Sequence, residues 1–114
     1  MDSIFLNDFS EHDKDDVLSE YRATDEERAF VKQIILADYT YEDYSGNSYV
    51  LFVGVDDKLY EVYGSHCSCH GLEDQWDIEE TTLEYFYDQI ERGNNTVNGV
   101  PINQIVELIK KFTN

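Results

Sequence analysis

Apolar positions along this chain crowd into short β-like runs in its middle and recur at helical spacing toward its carboxyl end. Segments 34–41, 48–55 and 58–63 are dense in Ile, Val, Tyr and Phe, the residue types that suit a pleated, half-buried surface. Ser45-Gly46-Asn47 and Asp56-Asp57 supply turns between them, and connections this short demand antiparallel neighbours. The pattern predicts a three-stranded antiparallel meander. A bare meander is marginal until something covers a face.

Two carboxyl-terminal helices are available for that. Thr81-Thr82-Leu83-Glu84 reads as a capping box, with Leu83, Phe86, Tyr87 and Ile90 at helical spacing and Gly93 as the stop. Asn98-Gly99 precedes Pro101, which suits a first helical position. Ile102, Ile105, Val106, Ile109 and Phe112 then form a wide apolar stripe, and Lys110 and Lys111 complement the dipole at the helix end.

Short acidic helices are expected at the amino end. One covers 13–21, with Val17, Leu18 and Tyr21 on one side; Thr24-Asp25-Glu26-Glu27 opens another through a capping box. Phe30, Val31, Ile34 and Ile35 fit a helical stripe, yet 34–41 is rich in β-formers, which places the helix-to-strand switch near Gln33. There is no internal repeat, low-complexity tract or interior linker. The expectation is a single α+β domain over 1–114.

Charge changes the picture more than composition does. Twenty-five acidic residues against eight basic ones give a net charge of −17, so the basic stripe that phosphate recognition needs is missing. The same repulsion disfavours anionic membrane surfaces, and no run of about eighteen apolar residues could span a bilayer. Residues 1–30 hold ten acids against three bases, and 64–92 hold eight against one. These two regions could converge on one face of the fold. Their expected partners are basic proteins or cations. The amino end lacks a basic start and a long apolar run, so no export signal is read, and the two cysteines are expected reduced in a cytoplasm.

Gly64-Ser65-His66-Cys67-Ser68-Cys69-His70-Gly71 gathers both cysteines and two of the three histidines. Zinc is one reading, with His66, Cys67, Cys69 and His70 as ligands. Structural sites draw ligand pairs from separated segments, however, and four candidates crowded into one loop oppose that geometry. A thiolate nucleophile is another reading, but no orienting acid or oxyanion loop follows, so no enzyme is assigned. The preferred reading is a tightly wound loop: small residues let the backbone fold close, and Trp76 anchors it to the core. No metal or cofactor is expected.

The acidic runs are ordinarily solvated helix starts. Their functional alternative is a partner surface formed by Asp13, Asp15, Asp16, Asp25, Glu26, Glu27, Asp74, Asp77, Glu79 and Glu80, or a row of carboxylates that mimics phosphates. The tyrosines read mostly as strand packing, but Tyr39, Tyr41, Tyr44 and Tyr49 bracket the first turn and could add an aromatic patch, with Tyr41 and Tyr44 the candidates for a partner.

Tyr39-Thr40-Tyr41-Glu42-Asp43-Tyr44-Ser45-Gly46, Lys58-Leu59-Tyr60-Glu61-Val62, the string Gly64-Ser65-His66-Cys67-Ser68-Cys69 with Gly71-Leu72-Glu73 and Gln75-Trp76, and Glu79-Glu80-Thr81-Thr82 resemble small acidic proteins encoded by bacteriophages and prophages. The likeness spans about residues 37–92. It transfers no catalytic residue. It implies a chain that binds and inhibits or redirects a host protein in the cytoplasm of an infected bacterium, as an anti-defence inhibitor such as an anti-CRISPR or as a nucleic-acid mimic. The alternative is a small zinc-binding module whose loop holds the fold together.

Overall fold

Five strands form one mixed sheet in a computed structural model that describes residues 4–7, 9–42, 45–66, 72–73 and 75–113. The elements run β1 (Ile4–Asn7), α1 (Lys14–Glu20), α2 (Asp25–Phe30), β2 (Val31–Glu42), β3 (Ser45–Gly54), β4 (Leu59–His66), β5 (Glu79–Thr81), α3 (Leu83–Glu91), β6 (Thr96–Val97), β7 (Val100–Pro101) and α4 (Ile102–Thr113). Sheet order is β1-β2-β3-β4-β5, with β1 parallel to β2 and the other neighbours antiparallel. The α+β class holds, but a three-stranded meander covered by two carboxyl-terminal helices is too small a description. The meander is only the centre of a wider sheet.

Both added strands escape a periodicity argument for physical reasons. β1 is four residues long and reaches β2 through a crossover carrying α1 and α2, as parallel pairing requires. β5 is an edge strand whose Glu79 and Glu80 are exposed, so it has no apolar alternation to read. Acidic side chains on a short edge also discourage unwanted strand pairing.

Helices cover both faces. On the first, Val17 and Leu18 of α1, Tyr21 and Ala23 meet Ile34, Ala37, Val50, Phe52 and Val62 of the sheet, joined by Leu72 and Trp76. On the second, Phe86 of α3 and Ile102, Ile105 and Ile109 of α4 meet Ile35, Leu36, Tyr49 and Leu51. Register shifts in β2 between Val31 and Gln33, and between Ile34 and Leu36, put Ile35 and Leu36 in the same cluster while Ile34 and Ala37 belong to the other. A bulge of this kind opposes two residues to one and restores alternation beyond it.

Several boundaries move. α2 stops at Phe30 and β2 begins at Val31, ahead of the expected switch at Gln33, because Val31 is already buried opposite Gly54 in the sheet. The cap of α3 is Thr82, whose hydroxyl accepts from the Tyr85 N–H at 3.2 Å; Thr81 is the last residue of β5, so Glu84 falls one position short of closing a capping box. Pro101 ends β7 and α4 starts at Ile102. Asn98 and Gly99, at φ 51° and 83°, form the turn of the β6–β7 hairpin, the role that the Asn-Gly pair favours.

Candidate functional site

The acidic helix starts are built from their own carboxylates. Asp13 caps α1 by accepting from the Asp16 N–H at 2.9 Å, and Asp16 accepts from the Asp13 N–H at 3.2 Å. Thr24 and Glu27 make the same reciprocal box at α2, at 3.1 and 2.7 Å. Asp13, Asp16 and Glu27 therefore have structural work at helix ends. Asp15, Asp25 and Glu26 are exposed in the first turns without such a bond. Arg28 ties the two helices together, its Nη2 donating to Ser19 Oγ at 3.0 Å and its Nε to the Ala23 carbonyl at 3.1 Å.

Beside α2 lies a groove of about 210 Å³, lined by Glu26, Glu27, Phe30, Trp76 and Ile78. Its floor is aromatic. Phe52 stacks against Trp76 at 5.6 Å and against Tyr60 at 5.5 Å, while Phe30 meets Tyr60 edge-on at 5.2 Å. Tyr21 meets Trp76 edge-on at 5.2 Å, and Trp76 is only 8% exposed. Ile78, by contrast, is 41% exposed at the groove's edge. Two acidic segments about fifty residues apart thus meet across an apolar surface.

Other expected acids are sorted by the sheet. Glu80 lies opposite Tyr60, whose ring belongs to the groove face, and pairs with Lys58 at 3.4 Å. Glu79 lies opposite Glu61 and acts on Tyr63, on the other face. Asp77 is exposed between Trp76 and Ile78. Tyr41 is placed in β2 by its backbone alone, and Tyr44 and Asp74 lie outside the described residues. The groove therefore unites Glu26 and Glu27 with Phe30, Trp76 and Ile78, while Asp25 adjoins Glu26 in the first turn of α2 and Glu80 stays outside the lining, paired with Lys58. Sequence reasoning missed Phe30 and Ile78 as surface residues; the apolar-acid-apolar alternation Trp76-Asp77-Ile78 was the available signal.

Two buried carboxylates were also missed. Asp38 is fully buried and accepts from Asn7 Nδ2 at 2.6 Å and Asn98 Nδ2 at 2.9 Å. Glu61, 4% exposed, accepts from the hydroxyls of Tyr49 at 2.6 Å and Tyr63 at 3.2 Å, both at Oε2. Burial, reinforced by Glu61, pushes both phenols upward in pKa. Their protons are held tightly, which suits packing rather than proton transfer near neutrality.

Cations are engaged elsewhere. Lys32 pairs with Asp57 at 2.6 Å, Arg92 with Asp88 at 2.9 Å, and Lys110 lies 5.7 Å from the centre of the Tyr87 ring. These exposed contacts contribute little stability. None of these cations lines the acidic groove.

The histidine- and cysteine-bearing string is tied down at its ends. Gln75 closes the edge of β4 by holding both backbone groups of Ser65, its Oε1 accepting from the N–H and its Nε2 donating to the carbonyl, each at 2.7 Å. Leu72 is buried beside it. Cys67, Cys69 and His70 lie outside the described residues, and His66 is placed in β4 by its backbone alone. Among the described residues no group of three or more His, Cys, Asp or Glu could hold a metal ion, and no helix is long and apolar enough to cross a membrane.

No protein-family model, curated protein or solved structure matches the chain.

Proposed function

We propose that this chain is a non-enzymatic binding protein that inhibits or redirects a host protein through its acidic, aromatic groove face. One observation carries the reading: Glu26 and Glu27 of α2 and the Trp76–Ile78 segment, far apart in sequence, flank a single apolar groove. An apolar centre with a charged rim is the anatomy of a protein-recognition surface. On a chain of net charge −17, such a rim attracts basic surfaces from a distance and repels nucleic acid and anionic lipid. The partner accordingly presents lysine and arginine around an apolar contact. The chain acts by covering that surface, without metal or cofactor.

Resemblance to small acidic phage proteins supplies the setting, the cytoplasm of an infected bacterium. If the partner's basic surface normally holds nucleic acid, the chain competes with it there, as an anti-defence inhibitor would.

Affinity capture from a bacterial lysate tests this reading. The intact chain should retain a basic protein at low salt, release it as salt rises, and lose it when Asp25 and Glu26 are replaced by lysine. Retention indifferent to both changes would contradict the acidic face as the binding surface.

A further inference from the structure

The groove has a shape as well as a charge, and the shape narrows the partner. Phe30, Trp76 and Ile78 supply its apolar wall, and a volume of about 210 Å³ suits one large apolar side chain rather than a broad flat contact. Trp76 is clamped between Phe52 and Tyr21, and Phe30 is set edge-on against Phe52 and Tyr60. Such a floor needs little ordering on binding, so most of the contact energy is retained. Ile78 remains 41% exposed, an apolar wall that an incoming side chain would cover.

Charge fixes what must flank that side chain. Glu26 and Glu27 line the groove, Asp25 precedes Glu26 in sequence, Asp77 lies between the lining residues Trp76 and Ile78, and no lysine or arginine lines it. Glu27 uses Oε1 for its capping bond with the Thr24 N–H. Its other oxygen and the exposed Glu26 carboxylate can face a ligand.

We propose that the groove between α2 and Trp76–Ile78 is a socket for one aliphatic or aromatic side chain of the partner, carried on a segment with lysine or arginine on either side. This rests on the acidic binding-protein reading and names the element its partner must present. Apolar anchors in a desolvated centre ordinarily dominate such interfaces, while the charged rim sets encounter and orientation.

Trp76 is the only tryptophan in the chain and lines the groove, so its fluorescence reports occupancy directly. The test titrates the intact chain with a blocked Lys-Lys-Leu-Lys-Lys peptide, and with the same peptide bearing glycine for leucine. The leucine peptide should shift Trp76 emission saturably, with the glycine peptide weaker by roughly tenfold or more. Ile78→Ser should weaken the leucine peptide comparably. Tyr87→Ser, which removes an equally exposed ring on the other helical layer, should leave it unchanged; thermal melts of both variants establish that they fold. Equal binding of the two peptides would overturn the socket while leaving the acidic face standing. Absence of binding by either would overturn both.

Discussion

Gly64 lies so close to Tyr21 that a Cβ there would stand 2.8 Å from the tyrosine Oη and 3.0 Å from its Cε1, with Leu72 Cδ2 also at 3.0 Å. That hydroxyl donates to Ser48 Oγ at 2.7 Å in a buried position. Three parts of the first core are therefore locked together at a residue whose value is its missing side chain.

Gly64→Ala should destabilise the fold by about 1–3 kcal/mol, the usual cost of overpacking a tight core. Urea unfolding measures it. Tyr21→Phe removes the nearest atom, so the double variant should lose less than the two single losses added together. Strict additivity would mean that the contact is not felt.

Asp38 links the end of β1 to the β6–β7 turn through Asn7 and Asn98, both left-handed at φ 55° and 51°. Asn98→Gly keeps the turn and deletes one donor to a fully buried carboxylate, and should cost about 1–3 kcal/mol. Asn98→Ala should cost roughly another 1 kcal/mol, because alanine resists that backbone conformation. Equal melting curves for the two variants would contradict a left-handed requirement.

Tyrosine titration gives a pH dependence with a definite sign. Burial raises Tyr21, Tyr49 and Tyr63, and the hydrogen bond to Asp56 at 2.5 Å raises Tyr60 to about 12. Folded protein thus holds these protons more tightly than unfolded chain, whose tyrosines titrate near 10. Their contribution is fully present below pH ~10 and is lost as pH climbs through the raised values. Phenolate absorbance should show a late-titrating class, and unfolding should accompany its ionisation. A single transition near 10 with the fold intact would contradict the buried network.

The described parts of the histidine- and cysteine-bearing string serve packing: Gly64 admits Tyr21, Gln75 seals β4, and Leu72 and Trp76 are buried. The crowding of four candidate ligands into one short loop, rather than these contacts, leads us to expect purified protein without stoichiometric zinc and a melting temperature indifferent to chelator. One tightly held zinc per chain, with unfolding on its removal, would overturn this expectation.

The central strands and the amphipathic helices were legible because burial writes a period into the sequence. Phe52 and Val50 alternate with Leu51 and Tyr49 between two cores, and α4 repeats its apolar stripe. β1 and β5 were not legible, since four or three residues with parallel or exposed pairing leave no period. Asn98-Gly99 is a hairpin signal in the sequence, and it lies so close to Pro101 and the apolar stripe of α4 that the two-residue strands around it leave no period of their own. Asp25, Glu26 and Glu27 were legible as candidates, but the meeting of Glu26 and Glu27 with Trp76 and Ile78 depends on tertiary packing. Only the fold could separate Glu80 from Glu79, because strand alternation sends neighbours to opposite faces.

Asp25 and Glu26 are the most informative residues to reverse, since neither makes the capping bond that Glu27 does. The decisive measurement is the association rate of the captured partner with the intact chain and with the Asp25→Lys/Glu26→Lys variant, as ionic strength rises from about 0.01 M to 0.15 M. Over that range the screening length shrinks from about 30 Å to about 8 Å. The intact chain should bind faster by roughly tenfold or more at low salt, with similar dissociation rates, and the advantage should shrink as salt rises. Equal association rates at every salt concentration would contradict an acidic groove face as the surface that finds the partner.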